Sequence, residues 1–188
     1  MSRWFVEEFL PEFQDKSVLE LGAGPGLCGL LAAHKARQVV LTDYMDIVMD
    51  LIDTNIKQCN PRPKECQMFA AQLDWDKIDN PDWFEGLDYT NGDQLVEGKF
   101  VDLKFDIIIG SDVVYWPQSI VPLCKVLNEL FRRQPNIVFY ICYIERIKAV
   151  HKDLLKNLKE EMKFTVEEIA KNVTKEANPD SYIYKITR

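Results

Sequence analysis

Val18-Leu19-Glu20-Leu21-Gly22-Ala23-Gly24-Pro25-Gly26-Leu27-Cys28-Gly29 is the stretch from which the rest of the chain can be read. A short apolar strand runs straight into glycines at every second position and then into a helical pattern. Glycine lets the backbone turn sharply and lets a ligand approach where a Cβ would stand. The helix N-terminus behind it offers N–H groups with no intrahelical partner. Asp43, twenty-one residues past Gly22, closes the next strand, where a carboxylate can accept both hydroxyls of a ribose. Gly24-x-Gly26-x-x-Gly29 also satisfies the nicotinamide-dinucleotide fingerprint, so the glycines and Asp43 do not choose between cofactors. Glu20 does: a carboxylate just before the loop suits the cationic ammonium of a methionine moiety and would repel a pyrophosphate. The alternative for Glu20 is a structural residue at a strand end.

Outward from this loop, β-branched runs alternate with longer helical patterns, which reads as βαβ units around a mostly parallel sheet. Strands are expected at 17–21, 39–42, 67–73 and 105–110, with a fifth at 137–143. A helix is expected over 27–36, its Gly29, Ala32 and Ala33 allowing close approach to the sheet. Met45, Val48, Met49, Ile52 and Ile56 recur at helical spacing, as do Ile120, Leu123, Cys124, Leu127 and Phe131 after Pro117. Ile147, Val150, Leu154, Leu158 and Met162 make a last long helix. A turn at Pro61 and Pro63 bounds the third strand. Two further strands, 164–170 and 182–187, lie too close in sequence for a helical crossover and are expected as an antiparallel hairpin. The stretch 74–104 breaks the rhythm, with Pro81, Gly86, Gly92, Gly98 and four aromatics but no period; it reads as functional or poorly ordered.

The 188 residues suit one sizeable core. The net charge of −7 argues against a general grip on nucleic acid. Nine acids against two bases between Asp74 and Asp102 carry that whole excess, so acidity belongs to one segment. No apolar run is long enough to span a membrane. The first twenty residues, with Glu7, Glu8 and Glu12, are not a secretory signal. Five cysteines without a CxxC pair, and only two histidines, give no metal-ligand spacing. Free thiols in a reducing compartment, the cytoplasm by default, are expected.

Glu20-x-Gly22-x-Gly24-x-Gly26, Asp43, Leu73-Asp74-Trp75 and Gly110-Ser111-Asp112-Val113-Val114-Tyr115 together resemble the class I, seven-β-strand methyltransferases of family 16, which include small protein-lysine methyltransferases. The resemblance runs in order from Val18 to Ile144. It implies a Rossmann-like, doubly wound α/β domain over 1–188, with seven strands in the order 3-2-1-4-5-7-6, the last antiparallel; the irregular acidic insert at 76–102 is longer than the family pattern leads one to expect. It implies S-adenosyl-L-methionine as cofactor. Gly22, Ala23 and Gly24 would line the methionine half, with Glu20 and Gly26 beside them in the cofactor loop, Asp43 the ribose, Trp75 the adenine, and Ser111 would lie against the cofactor. Asp112 and Tyr115 would face the substrate and serve catalysis. The acidic segment would border the entrance and attract a basic protein surface.

The function so implied is methyl transfer from S-adenosylmethionine to a lysine amine of a protein. Alternatives are a nicotinamide-type small-molecule N-methyltransferase, a dinucleotide oxidoreductase, and a non-catalytic interaction module that binds the cofactor. Asp112 could instead cap a helix ahead of Pro117, and Tyr115 and Trp75 could be core aromatics. Val113-Val114 replaces the prolines of the Asn/Asp-Pro-Pro-Tyr signature, which speaks against a nucleobase amine. Only residues 1–16 precede the first strand, whereas family members carry an N-terminal extension with a pocket-closing Trp. That piece is expected to be missing here, and Trp4 is too close to Leu10 to replace it.

Overall fold

The computed structural model describes residues 9–59, 66–92, 94–172 and 180–188. Trp4, the Pro61/Pro63 turn and Asp93 lie outside the described residues. A central sheet is built from β1 (Ser17–Leu21), β2 (Gln38–Asp43), β3 (Gln67–Gln72), β4 (Thr90–Asn91), β5 (Gln94–Leu95), β6 (Ile107–Ser111), β7 (Val138–Ile144), β8 (Thr165–Lys171) and β9 (Ser181–Thr187). Its spatial order is β5-β4-β3-β2-β1-β6-β7-β9-β8. Among the described residues nine strands, not the expected seven, therefore make the sheet. The two additions, β4 and β5, are two-residue strands from the acidic segment that extend the edge beyond β3. The five central strands are parallel, and β9 runs antiparallel to both β7 and β8. This is the doubly wound, Rossmann-like α/β fold.

The helices are α1 (Leu27–Ala32), α2 (Asp46–Gln58), α3 (Pro81–Glu85), α4 (Ile120–Arg133) and α5 (Lys148–Lys156). Strand parity sorts the core into two layers, because successive side chains point to opposite faces. Leu19 and Leu21 of β1, Val40 of β2, Ile108 of β6 and Phe139 and Ile141 of β7 pack with α4 and α5. Val18 of β1, Val39 and Leu41 of β2, and Ile107 and Ile109 of β6 pack on the other face, with α1 and α2. All five β1 residues are buried, as the central strand of such a sheet requires. Five strands thus present their carboxyl ends to one rim, where the site lies.

Several local expectations change. The first helix ends at Ala32, not Ala36, and gives way to a turn whose Lys35 N–H reaches the Ala32 carbonyl. Met45 does not join the buried face of α2; it stands at the N-cap, 43% exposed, while Ile52 and Ile56 are fully buried. The last helix leaves α geometry after Lys156 and finishes as a π turn, Asn157–Glu161.

The described residues of the segment 74–104 are packed rather than loose. Asn80 caps α3 by accepting the Trp83 N–H at 3.3 Å, and Pro81 opens the helix where its missing N–H costs nothing. Phe84, Leu87, Tyr89 and Phe100 are buried in the main core, with Tyr89 edge-on to Phe69 and Phe84 edge-on to Phe100. At least four of its acids have cationic partners: Asp74 with Lys77, Asp79 with Lys125, Glu85 with Arg133 and Asp88 with Lys99. The insert is a packed cover on the sheet edge with charge on its outer side. All five cysteines are free thiols, and no helix among the described residues is long and apolar enough to cross a membrane.

Candidate active site

The turn after β1 is built from left-handed backbone. Gly22, Gly24 and Gly26 have φ of +60°, +53° and +85°, a region that costs other residues strain. The Ala23 N–H donates to the Thr42 carbonyl at 2.8 Å and the Gly26 N–H to the Ala23 carbonyl at 2.9 Å, which closes the turn against β2. The Asn55 amide of α2 donates to the Pro25 carbonyl at 2.7 Å and braces its outer side.

The glycines have different neighbours. A Cβ on Gly24 would meet nothing within 4 Å, so this position faces open space. One on Gly22 would stand 2.9 Å from the Val113 Cγ1 and 3.6 Å from the Trp75 Cζ2. One on Gly26 would come within 2.9 Å of Leu41. One on Gly29 would collide with Leu41 at 2.1 Å and with the Glu20 Oε2 at 2.7 Å. Gly26 and Gly29 therefore serve helix–sheet packing, while Gly22 and Gly24 border a cavity.

That cavity, about 530 Å³, is of the size small-molecule cofactors occupy. It opens beyond the carboxyl ends of β1, β2, β3 and β6. Gly22, Gly24, Asp43, Trp75 and Tyr115 of the expected site line it. Glu20, Ala23, Gly26, Ser111 and Asp112 are not on its wall. Sequence reading missed Tyr44, Met45, Val48, Asp76, Val113 and Trp116, which also line it. Each follows a strand end, so position, rather than residue type, was the available signal. Tyr44, Tyr115 and Trp116 are 60%, 56% and 65% exposed, an unusual concentration of open aromatic surface at one rim.

Glu20 lies elsewhere than expected. It shares the parity of Val18, so its side chain goes under α1, is 2% exposed, and accepts the Gly29 N–H at 2.7 Å. Burial pushes its carboxyl up to about 8, against the pull of the Gly29 hydrogen bond and with a smaller push from Asp43. Asp43, by contrast, stands at the cavity. Its Oδ2 accepts the Gly24 N–H at 3.0 Å and its Oδ1 the Tyr44 N–H at 2.8 Å, so the glycine turn and this carboxylate hold each other. Ser111 touches the buried Cys28 thiol, whose titration burial and Glu20 push up to about 12.

Asp112 does not cap a helix. It holds a left-handed φ of +57° immediately after β6, with its N–H donating to the Cys142 carbonyl at 2.8 Å. Such a conformation in a non-glycine residue is uncommon and concentrates at functional positions. Its carboxylate accepts two hydrogen bonds from Arg146, from Nη1 at 2.7 Å and Nη2 at 2.6 Å. The same guanidinium lies 5.3 Å from the Tyr115 ring centroid. Carboxylate, guanidinium and phenol ring form one cluster where the ends of β6 and β7 meet.

The comparisons with known proteins agree with this layout. A model of the lysine methyltransferase family matches residues 2–91 and 83–161. The chain belongs to the lysine methyltransferase family. The protein N-lysine methyltransferase METTL21A of Xenopus tropicalis is 28% identical over 125 residues, 66% of this chain and 48% of that protein. The EEF1A lysine methyltransferase 3 of the same species is 27% identical over 189 residues, 98% of this chain and 69% of that protein. The chain spans about half the length of the METTL21A proteins it matches. Among solved structures, the magnesium protoporphyrin IX methyltransferase of Synechocystis with bound SAM covers 100% of this chain and 79% of its own, at 11% identity and a TM-score of 0.57. An rRNA methylase of Streptococcus thermophilus covers 96% and 92%, at 13% identity and a TM-score of 0.55. At these identities the solved structures establish the fold, whereas the sequence match places the chain among lysine methyltransferases.

Proposed function

We propose that this protein transfers a methyl group from S-adenosylmethionine to the side-chain amine of a lysine on a protein substrate. The observation that carries the reading is a single cavity bordered by Gly24 and Asp43 on one side of β1 and by Tyr115 on the other, in a chain of this family. The residues present fit the cofactor: open space at Gly24 leaves the backbone approachable, and Asp43 offers a carboxylate at the mouth of β2. Bound there, S-adenosylmethionine would supply an electrophilic methyl group on a sulfonium centre.

In this reading Gly22 and Gly24 would admit the methionine half, Asp43 would hold the ribose and the half-buried Trp75 would stand by the adenine. Glu20 acts indirectly, by holding the start of α1 through Gly29 rather than by touching the ligand. Transfer would be a direct displacement, the lysine nitrogen gaining the methyl as the sulfonium loses it, so the residues' main task is alignment. An ammonium has no lone pair, so its proton must leave to solvent before transfer. Asp112 draws the side chain in as a cation and orients it, and the Tyr115 face stabilises its charged forms. The exposed Asp76 at the rim, with the other acids of its segment, favours targets set among basic residues.

Incubation with tritiated S-adenosylmethionine and a cell extract, followed by acid hydrolysis, tests the proposal. Label is expected in methyl-lysine, and is expected to vanish with Asp112→Asn while affinity for S-adenosylhomocysteine stays near wild type. Label recovered only in nucleic acid or in a small amine would overturn it.

A further inference from the structure

The cluster at the ends of β6 and β7 contains a cation of the protein's own. The Arg146 guanidinium takes both oxygens of Asp112 and covers the Tyr115 ring, the two groups assigned above to the incoming lysine. A carboxylate beside an aromatic face recognises positive charge without distinguishing guanidinium from ammonium. An entering ammonium must compete with this fork for the same carboxylate and the same ring face, because two like charges held that close repel. We propose that Arg146 occupies the lysine subsite as an internal substitute and is displaced when a substrate amine enters. This inference rests on the lysine reading of the site and adds a gate to it.

The surroundings suit a side chain that leaves without disturbing its base. The Glu145 N–H donates to the Asp180 carbonyl at 2.8 Å, and the Glu145 carboxylate pairs with the buried His151 ring. His151 is itself held by the Tyr184 hydroxyl at 2.8 Å and packed between Tyr143 and Tyr182. The Arg146 N–H closes back on the Ile144 carbonyl at 3.0 Å. The backbone beneath Arg146 is therefore pinned, while its side chain is 44% exposed and can rotate into water. Asp112 is only 19% exposed in its side chain and is fixed by its bond to Cys142, so its carboxylate stays aimed when Arg146 departs. A partly exposed pair is a weak closure. Apparent affinity for an entering amine falls by the fraction of molecules that are open.

The test uses n-butylammonium chloride, a lysine side chain without a peptide, titrated calorimetrically into protein saturated with S-adenosylhomocysteine. Arg146→Gln is expected to bind it roughly fivefold to tenfold more tightly than wild type. Asp112→Asn added to Arg146→Gln is expected to abolish that gain. In wild type, butylammonium is expected to move the Arg146 Nε–H resonance in a nitrogen–proton spectrum. Arg146→Lys, which keeps a cation but loses the planar fork, is expected to fall between wild type and Arg146→Gln. It also serves if Arg146→Gln does not fold. Equal or weaker binding by both variants, or a gain that survives Asp112→Asn, overturns the gate. If that happens while wild type still labels methyl-lysine, the gate alone falls. If wild type labels no methyl-lysine either, the lysine reading falls with it.

Discussion

Gly24→Ala and Gly29→Ala place the same methyl group in two positions of one motif, and the structure expects the first to act mainly on ligand affinity and the second on stability. Gly24 has φ +53° and open space where a Cβ would stand. Alanine there costs the left-handed penalty of about 1–2 kcal/mol, a melting shift of a few degrees in a chain of this size. It also projects a methyl into the cavity beside Asp43, so affinity for S-adenosylhomocysteine is expected to fall by about tenfold or more. Gly29 lies within α1, where alanine would gain about 1 kcal/mol of helix propensity. Its Cβ, however, would sit 2.1 Å from the Leu41 Cδ2 and 2.7 Å from the Glu20 Oε2. Both are buried, so one or both must shift within the core. Overpacking of this kind costs about 1–3 kcal/mol, and moving Glu20 off the Gly29 N–H adds a buried polar group without its partner. The net expectation is a melting point lower by several degrees in the absence of any ligand. Thermal unfolding of the ligand-free proteins and calorimetric titration of those that fold separate the two effects. A Gly29→Ala protein as stable as wild type, or a Gly24→Ala protein with full affinity, would refute the division of the loop into a packing half and a binding half.

Three other expectations follow from the same site. Asp43→Ala should weaken S-adenosylhomocysteine binding by about 1.5–3 kcal/mol, since it removes charge-assisted acceptors and frees the Gly24 N–H; unchanged affinity would place the ribose elsewhere. Glu20, raised from 4.5 to about 8, holds a proton in the folded state that the unfolded chain releases, so its contribution to stability is present in acid and drains away as pH climbs through that window. Relative to Glu20→Gln, wild type should lose about 1.4 kcal/mol per pH unit there, read from urea midpoints, and parallel curves for the two proteins would contradict this. Replacing Asp76, Asp82 and Glu97 with their amides should cut labelling of basic proteins several-fold at low salt and little at physiological salt, where screening reaches about 8 Å. Labelling that keeps its wild-type salt response would make these charges irrelevant to recruitment.

The glycine loop and Asp43 were legible because they are local: a strand, a turn that needs φ above zero and a strand end lie within one βαβ unit. The charge of Glu20 does not reveal which face it takes; its parity does. Val18 and Glu20 share a face, and that face belongs to α1. The acidic segment looked irregular because its elements are only two to five residues long and its apolar residues answer to the edge of β3 rather than to any period of their own. The pairing of Asp112 with Arg146 spans thirty-four residues and depends on β6 and β7 being neighbours. The expected strand order already made them so, and the register of Ser111 opposite Cys142 brings the two strand ends together. No motif within either stretch announces the contact.

The position of β9 bears on how this molecule comes into being. Phe139–Ile144 of β7 finds its outer partner only in Ser181–Ile186, with Thr165–Lys171 laid down beyond it. During synthesis the ribosome therefore delivers β7, α5 and β8 before the strand that must slot between them. Until residues 181–187 clear the exit tunnel, the backbone N–H and C=O groups along the outer side of β7 form a bare edge, open to β8 in the wrong register or to another nascent chain. Completion of the sheet waits on a segment made some forty residues after its partner, and in that interval the edge is exposed to mispairing.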